Sequence, residues 1–438
     1  VSATPCPACG LDHDVPVEEV VVGPEALERL GAYADQKSWR RLLLVDDANT
    51  AEALGDRLAE ALRSAGHLVT RLRFPERSGL LADEGAVAAA RERLGADDPD
   101  GVLAVGSGVI NDITRYSTFL EGRSYVSVPT AASMDGYASN VAAMQFDGVK
   151  VSHIAHTPLA VFADLEVVAG APAEMTVWGL GDLLGKACAR FDWALASGLL
   201  GELFCPVVEA RVLGPLGFCT AHAAEVRAGR PDAVGELVRG LVESGIAMAM
   251  MGNSRPASGC EHHASHFWDL LAFRGLRPHG PHGLQVGYAT HFAMALQRRG
   301  ADLVAGASPP PVRAGGPGGG DDTEARRWFG AQLEALEAVR REKEEILARG
   351  LPAWPRDAAA LKALAARLAE VASGFEHVSS ALADSGVPAT AGFLGLDRDT
   401  LGATFRFANR LRARYTVLDL LEGLGALDAL VEEIVAGP

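Results

Sequence analysis

The stretch Ser258-Gly-Cys-Glu-His-His-Ala-Ser-His266, followed by Pro278-His-Gly-Pro-His282-Gly283, holds the densest chemistry in this chain. No Pro or Gly interrupts it between Gly259 and Asp269, so the spacing predicts a helix over 258–269 with His262 and His266 on one face. Neutral imidazole nitrogens suit zinc, iron, nickel or copper. Two histidines and one carboxylate would hold such an ion with a position left open for a substrate oxygen. Asp182, within Gly179-Leu-Gly-Asp-Leu-Leu-Gly185, is the carboxylate to add. Taken alone, an i, i+4 histidine pair fits equally well as two ordinary polar residues of a helix.

Three further clusters lie in the first third of the chain. Gly106-Ser-Gly-Val-Ile-Asn-Asp112 follows a β-branched run and opens a helical pattern, where backbone N–H groups and the helix N-terminus favour a pyrophosphate. The full G-x-G-x-x-G fingerprint is absent, so a plain tight turn competes with that reading. Asp46 ends an earlier strand, where a carboxylate can accept from a ribose, or act as a turn or cap residue. Thr130-Ala-Ala-Ser-Met-Asp-Gly136 and Ser139 follow a strand ending at Pro129. Their hydroxyls can donate to phosphate or amide groups, and Asp135 can hold a substrate hydroxyl; a Ser/Thr-rich turn is the plainer alternative.

The elements that must carry these residues follow from periodicity. Short apolar runs at Val17–Val22, Leu42–Asp46, His67–Phe74 and Gly101–Val105 alternate with helical patterns, one of them opened by an Asn49 cap. That alternation predicts an α/β fold with a parallel sheet wrapped on both faces and ligands beyond the carboxyl ends of its strands. After Ala171 the composition turns Ala/Leu-rich and helical. The expected division is a tail over 1–16, a dinucleotide-binding domain over 17–170 and an all-helical domain over 171–438, with a flexible Pro/Gly loop at about 305–322. Met248, Met250 and Met251 read as core filling.

The totals exclude several classes. The 438 residues carry a formal charge of -16, which argues against non-specific binding to nucleic acid or anionic membrane. No apolar run of spanning length and no leader-like N-terminus is present, so the expected compartment is the cytoplasm. Six cysteines are too sparse for a disulfide framework. Cys6-Pro-Ala-Cys9 has metal-ligand spacing, but no second Cys pair or adjacent Cys/His pair completes a site, which favours a mobile tail.

Taken in order, Asp46, the 106–112 cluster, the 130–136 cluster, Gly181-Asp-Leu-Leu-Gly-Lys186, the 254–266 stretch and His282-Gly-Leu-Gln-Val-Gly287 resemble the sn-glycerol-1-phosphate dehydrogenase family, in its bacterial form. That family lies among the iron-containing alcohol dehydrogenases, glycerol dehydrogenases and dehydroquinate synthases. The resemblance runs from about residue 17 to 296, and it implies a Rossmann-like N-terminal domain, an all-α C-terminal domain and an active site in the inter-domain cleft. It implies metal ligands Asp182, His262 and His282 for one divalent ion (Zn, Ni or Fe). It implies substrate-contacting or catalytic positions at His266, Asp135 and Asp182. The coenzyme contacts it implies are Asp46, Gly106, Ser107, Gly108, Val109, Ile110, Asn111, Asp112, Thr130, Ala131, Ala132, Ser133 and Ser139. Asp46 points to NAD(H), with NADP(H) as the alternative. The stretch 140–147 and the Pro/Gly loop depart from the expected pattern.

The activity so implied is interconversion of dihydroxyacetone phosphate and sn-glycerol 1-phosphate by a homodimer, acting on a small phosphorylated molecule. Arg255 and Lys186 are the cations nominated for the phosphate. Competing readings are another phosphorylated or polyol carbonyl substrate, a sugar-phosphate cyclase-like enzyme, and a silent nucleotide-binding homologue.

Overall fold

The computed structural model describes residues 5–146, 149–306, 322–350, 358–388 and 390–436. The Pro/Gly loop expected near 305–322 falls almost wholly outside them. The chain forms two compact units. One comprises Leu11–Leu183 and Ala210–Ser254 together with Cys6; the other comprises Pro7–Gly10, Leu184–Glu209 and the chain from Arg255 onward.

The first unit is built on a parallel sheet. Its strands are β1 (Glu19–Gly23), β2 (Arg41–Asp47), β3 (Leu68–Phe74), β4 (Gly101–Gly106), β5 (Val126–Pro129) and, after an antiparallel pair β6 (Val141–Phe146) and β7 (Val149–Ile154), β8 (Ala160–Asp164). They are ordered β1-β8-β5-β4-β2-β3. Alternation along β2 explains why both faces are covered. Leu42 and Leu44 join one cluster with Leu30, Tyr33, Leu54 and Leu58, while Leu43 and Val45 join another with Val87, Ala90, Ile110 and Ile113. Each fully buried Leu or Val contributes about 1.5–3 kcal/mol of transfer free energy.

The covering helices on the first face are α1 (Ala26–Gln36) and α2, which runs through Ala48–Thr50, a π-helical turn at Ala51–Gly55, and Asp56–Ser64. The second face is covered by α3 (Glu84–Asp97) and α4 (Gly108–Leu120). Asp47, not Asn49, caps α2: its carboxylate accepts from the backbone of Asn49 at 2.9 Å and Thr50 at 2.8 Å. Asn49 already has a helical place, and an ionised acceptor at the strand end is the stronger cap.

Helices α5 (Leu165–Ala169) and α6 (Ala173–Leu184) follow β8. The chain continues through α7 (Lys186–Leu200), α8 (Pro206–Ala221), α9 (Ala223–Arg227) and α10 (Pro231–Met251). Two glycines let helices press onto the loop after β5. A Cβ at Gly179 of α6 would collide with the Ala132 carbonyl oxygen, and one at Gly245 of α10 would stand 2.8 Å from the Ser139 nitrogen. Met248, Met250 and Met251 are buried on α10.

The second unit is helical. Its α11 (Cys260–Phe273) packs on α12 (His282–Gly306), and helices continue to Leu427–Ala436. Phe267, Trp268 and Leu271 bury one side of α11, with the Trp268 indole donating to Thr404 Oγ1 at 2.7 Å. Among the described residues no helix is long and apolar enough to cross a membrane.

Candidate functional site

The sheet order reverses between β2 and β4, and that switch point is where ligands of such sheets bind. At the end of β4, Gly106 has no room for a side chain, since a Cβ would lie 2.7 Å from that of Ile110. Ser107 then breaks to extended geometry and α4 starts at Gly108. Asn111 locks the turn. Its side-chain amide donates to the carbonyls of Gly106 (3.3 Å) and Ser107 (3.2 Å) and accepts from Ser127 Oγ on β5 at 2.7 Å. Asp112 pairs with the fully buried Arg115 at 2.8 Å, and Arg115 also donates to Tyr125 Oη, the Val141 carbonyl and the Gly136 carbonyl.

Gly106 and Pro129 are register partners, so the loop carrying Thr130, Ala131, Ala132 and Ser133 leaves the sheet beside the Gly106–Gly108 turn. Ser133 Oγ lies 3.4 Å from Tyr137 Oη, and Ser139 Oγ accepts from the Val141 N–H at 2.9 Å. Burial pushes the Tyr137 phenol up to about 12, which keeps it a neutral donor. Asp135 is tied at both ends: its N–H donates to Asp182 Oδ2 at 3.2 Å, and its carboxylate accepts from Ser244 Oγ on α10 at 2.9 Å. Asp182 is fully buried on the last turn of α6.

Asp46 is placed differently from its neighbours. It is fully buried, with Arg71 donating to one carboxylate oxygen and Arg73 standing 3.5 Å from the other. Burial pushes its pKa up, opposed by those two guanidinium groups. The half-buried carboxylate at the end of β2 is Asp47. The sequence marks it only as the second of two consecutive acids, which a strand must point to opposite faces.

In the second unit, His262 and His266 lie on α11 and His282 opens α12. The rings of His262 and His282 have centroids 5.2 Å apart, and those of His266 and His282 are 5.8 Å apart. Each Nδ1 faces an oxygen. Glu261 Oε1 accepts from His262 Nδ1 at 2.7 Å, Ser265 Oγ lies 3.2 Å from His282 Nδ1, and Asp269 Oδ2 lies 3.9 Å from His266 Nδ1. Asp269 is itself held by Gln285 at 2.8 Å, which accepts from Arg277 at 2.6 Å.

Acids also fix the start of α11. Glu261 accepts from the Gly259 N–H at 2.8 Å, and Asp192 accepts from the Cys260 N–H at 2.8 Å. Burial, reinforced by the Glu261 charge, pushes Asp192 up to about 7. Glu261 and Asp269 are neighbours of the histidines that the sequence reading passed over. Their signal was an acid immediately before His262 and one a turn after His266.

Asp182, His262 and His282 supply one carboxylate and two imidazoles, a donor set that suits a divalent transition metal. With Nδ1 of His262 donating to Glu261, Nε2 of that ring is the unprotonated nitrogen, the arrangement metal-binding histidines adopt. Of the cations nominated for a phosphate, Arg255 is committed to Glu202 at 2.6 and 2.5 Å and to the Tyr415 carbonyl at 2.7 Å, and Lys186 is fully buried.

Residues 21–172 match the family described as iron-containing alcohol dehydrogenase. The glycerol-1-phosphate dehydrogenase [NAD(P)+] of Geobacillus stearothermophilus is 32% identical over 95% of this chain and 96% of its own. That of Halalkalibacterium halodurans is 36% identical over 67% of this chain and 74% of its own. An iron-containing alcohol dehydrogenase structure from Thermococcus thioreducens superposes with a TM-score of 0.64 over 96% of this chain and 98% of that one, at 15% identity, and so shares the fold. The chain is therefore a member of the glycerol-1-phosphate dehydrogenase family, within the iron-containing alcohol dehydrogenases.

Proposed function

We propose that this protein interconverts dihydroxyacetone phosphate and sn-glycerol 1-phosphate with NAD(H) or NADP(H), using one divalent metal held by Asp182, His262 and His282. The observation that carries the reading is the histidine cluster of α11 and α12, in which His262 and His282 both turn Nδ1 to an oxygen and so present Nε2 for ligation. When bound, the metal supplies Lewis-acid polarisation of the substrate oxygen and the nicotinamide coenzyme supplies the hydride.

The remaining work falls to this chain's side chains and backbone. The Gly106–Gly108 turn and the N-terminus of α4 take the pyrophosphate, and the hydroxyls of Thr130 and Ser133 line the same strand ends. Asp135, steadied by Ser244, holds a substrate hydroxyl. His266, whose Nδ1 lies 3.9 Å from Asp269, moves the proton that balances alkoxide and alcohol. Holding both reactants in one orientation removes up to about 7–11 kcal/mol of entropic barrier.

The test is oxidation of NADH and NADPH by the metal-loaded protein with dihydroxyacetone phosphate, free dihydroxyacetone and a panel of phosphosugars. Turnover with dihydroxyacetone phosphate that far exceeds the others supports the assignment. Turnover confined to another phosphosugar or to the unphosphorylated ketone removes it.

A further inference from the structure

The N-terminal segment carries a second set of metal donors, unrelated to the reaction. Cys6-Pro7-Ala8-Cys9-Gly10 forms a tight turn at 7–9, closed by the Cys6 N–H donating to the Leu11 carbonyl at 2.8 Å. Gly10 takes φ +76°, a left-handed conformation open to glycine at no steric cost. A Cys-x-x-Cys loop bent in this way turns two thiols to one side, the geometry that grips a metal. It lacks the redox arrangement, in which such a pair opens a helix, since the first helix begins only at Ala26.

Two more donors complete the set. His13 follows Cys9 by four residues, and its Nδ1 lies 3.0 Å from the Met250 carbonyl, which fixes the tautomer and assigns Nε2 to ligation. Cys205, fully buried just ahead of α8, is the third sulfur. Cys9 and Cys205 belong to the same compact unit, and Cys6 and His13 flank Cys9 within one eight-residue stretch of sequence. One donor atom from each of Cys6, Cys9, His13 and Cys205 lies within 4.8 Å of the others. A tetrahedron of ligands about 2.3 Å from zinc has edges of about 3.8 Å, so the four donors need to close only slightly.

We propose that Cys6, Cys9, His13 and Cys205 bind one structural zinc ion. Three thiolates and an imidazole make a soft, closed tetrahedral set, which selects zinc over magnesium or calcium and leaves no position for substrate. The ion ties the Pro7–Gly10 turn to the segment between α7 and α8, both part of one compact unit. Binding releases the thiol protons, so the site contributes to folding only where the metal is supplied.

Cobalt substitution tests this. The protein refolded with cobalt should show an intense near-ultraviolet sulfur-to-cobalt charge-transfer band that Cys9→Ser with Cys205→Ser abolishes; Asp182, His262 and His282 offer no sulfur, and a band from Cys260 beside Asp192 and Glu261 would survive those substitutions. In parallel, protein carrying His262→Ala and His282→Ala should retain about one zinc per chain, and Cys9→Ser with Cys205→Ser added should remove it. Absence of the charge-transfer band in the wild-type cobalt protein overturns the proposal. So does a Cys6–Cys9 disulfide in freshly purified protein, or unchanged zinc content in the cysteine variants.

Discussion

His262 reaches an acceptor that can only accept, so its Nδ1 must carry the proton and its coordination chemistry is decided by Glu261. Glu261→Ala should weaken metal affinity by roughly 10–100-fold, with Glu261→Gln recovering much of it because an amide oxygen can still accept; competition with a chelator measures both. His266→Ala should lower kcat by roughly 10²–10⁴-fold while metal content stays at the wild-type value. Loss of metal in that variant would make His266 a ligand. Asp46 makes a different prediction. Arg71→Ala leaves a fully buried carboxylate facing Arg73 at 3.5 Å and should cost about 3 kcal/mol, read from the urea midpoint; an unchanged midpoint would mean that Arg73 alone compensates Asp46.

At this scale the histidines were legible in the sequence because their spacing is a local property of a helix. The fate of Asp46 was not, because its partners Arg71 and Arg73 come from the neighbouring strand, whose register the sequence does not state.

The elements explain how the loop after β5 is held still. Gly179 on α6 lets that helix lie against the Ala132 carbonyl, and Gly245 on α10 does the same at Ser139. Gly179→Ala should therefore displace the 130–133 loop, lowering stability by about 1–3 kcal/mol and raising the coenzyme KM, measured by thermal unfolding and by titration with NADH. A variant that keeps wild-type coenzyme KM would separate this loop from coenzyme binding. The alternating strands and helices were readable from residue 17 onward because both strand faces are apolar. The π-helical turn at Ala51–Gly55 and the β6–β7 pair were not, since a helix widening by one residue leaves no compositional trace and a two-stranded ribbon carries only a weak pattern.

For the whole molecule, composition changes at Ala171, but packing does not change with it. Helices α6 and α10 belong with the sheet, so the first unit is completed by Ala210–Ser254, long after the strands have ended. Composition reports secondary structure and cannot show which helix returns to which core. A fragment ending at residue 170 lacks those helices and should expose their seats, giving near-ultraviolet circular dichroism without fixed tertiary structure. A natively folded, coenzyme-binding fragment would show that the strands and α1–α5 suffice. Cys205 belongs to the same lesson: its thiol partners lie almost two hundred positions earlier, beyond the reach of any spacing rule.

From Leu11 onward the chain passes between the units near Leu183, inside α8 at Glu209, and again after Ser254. Such a stitched connectivity has a genetic consequence. No single recombination breakpoint can hand the sheet half intact to another protein; an exchange of that unit between relatives needs a breakpoint at each crossing.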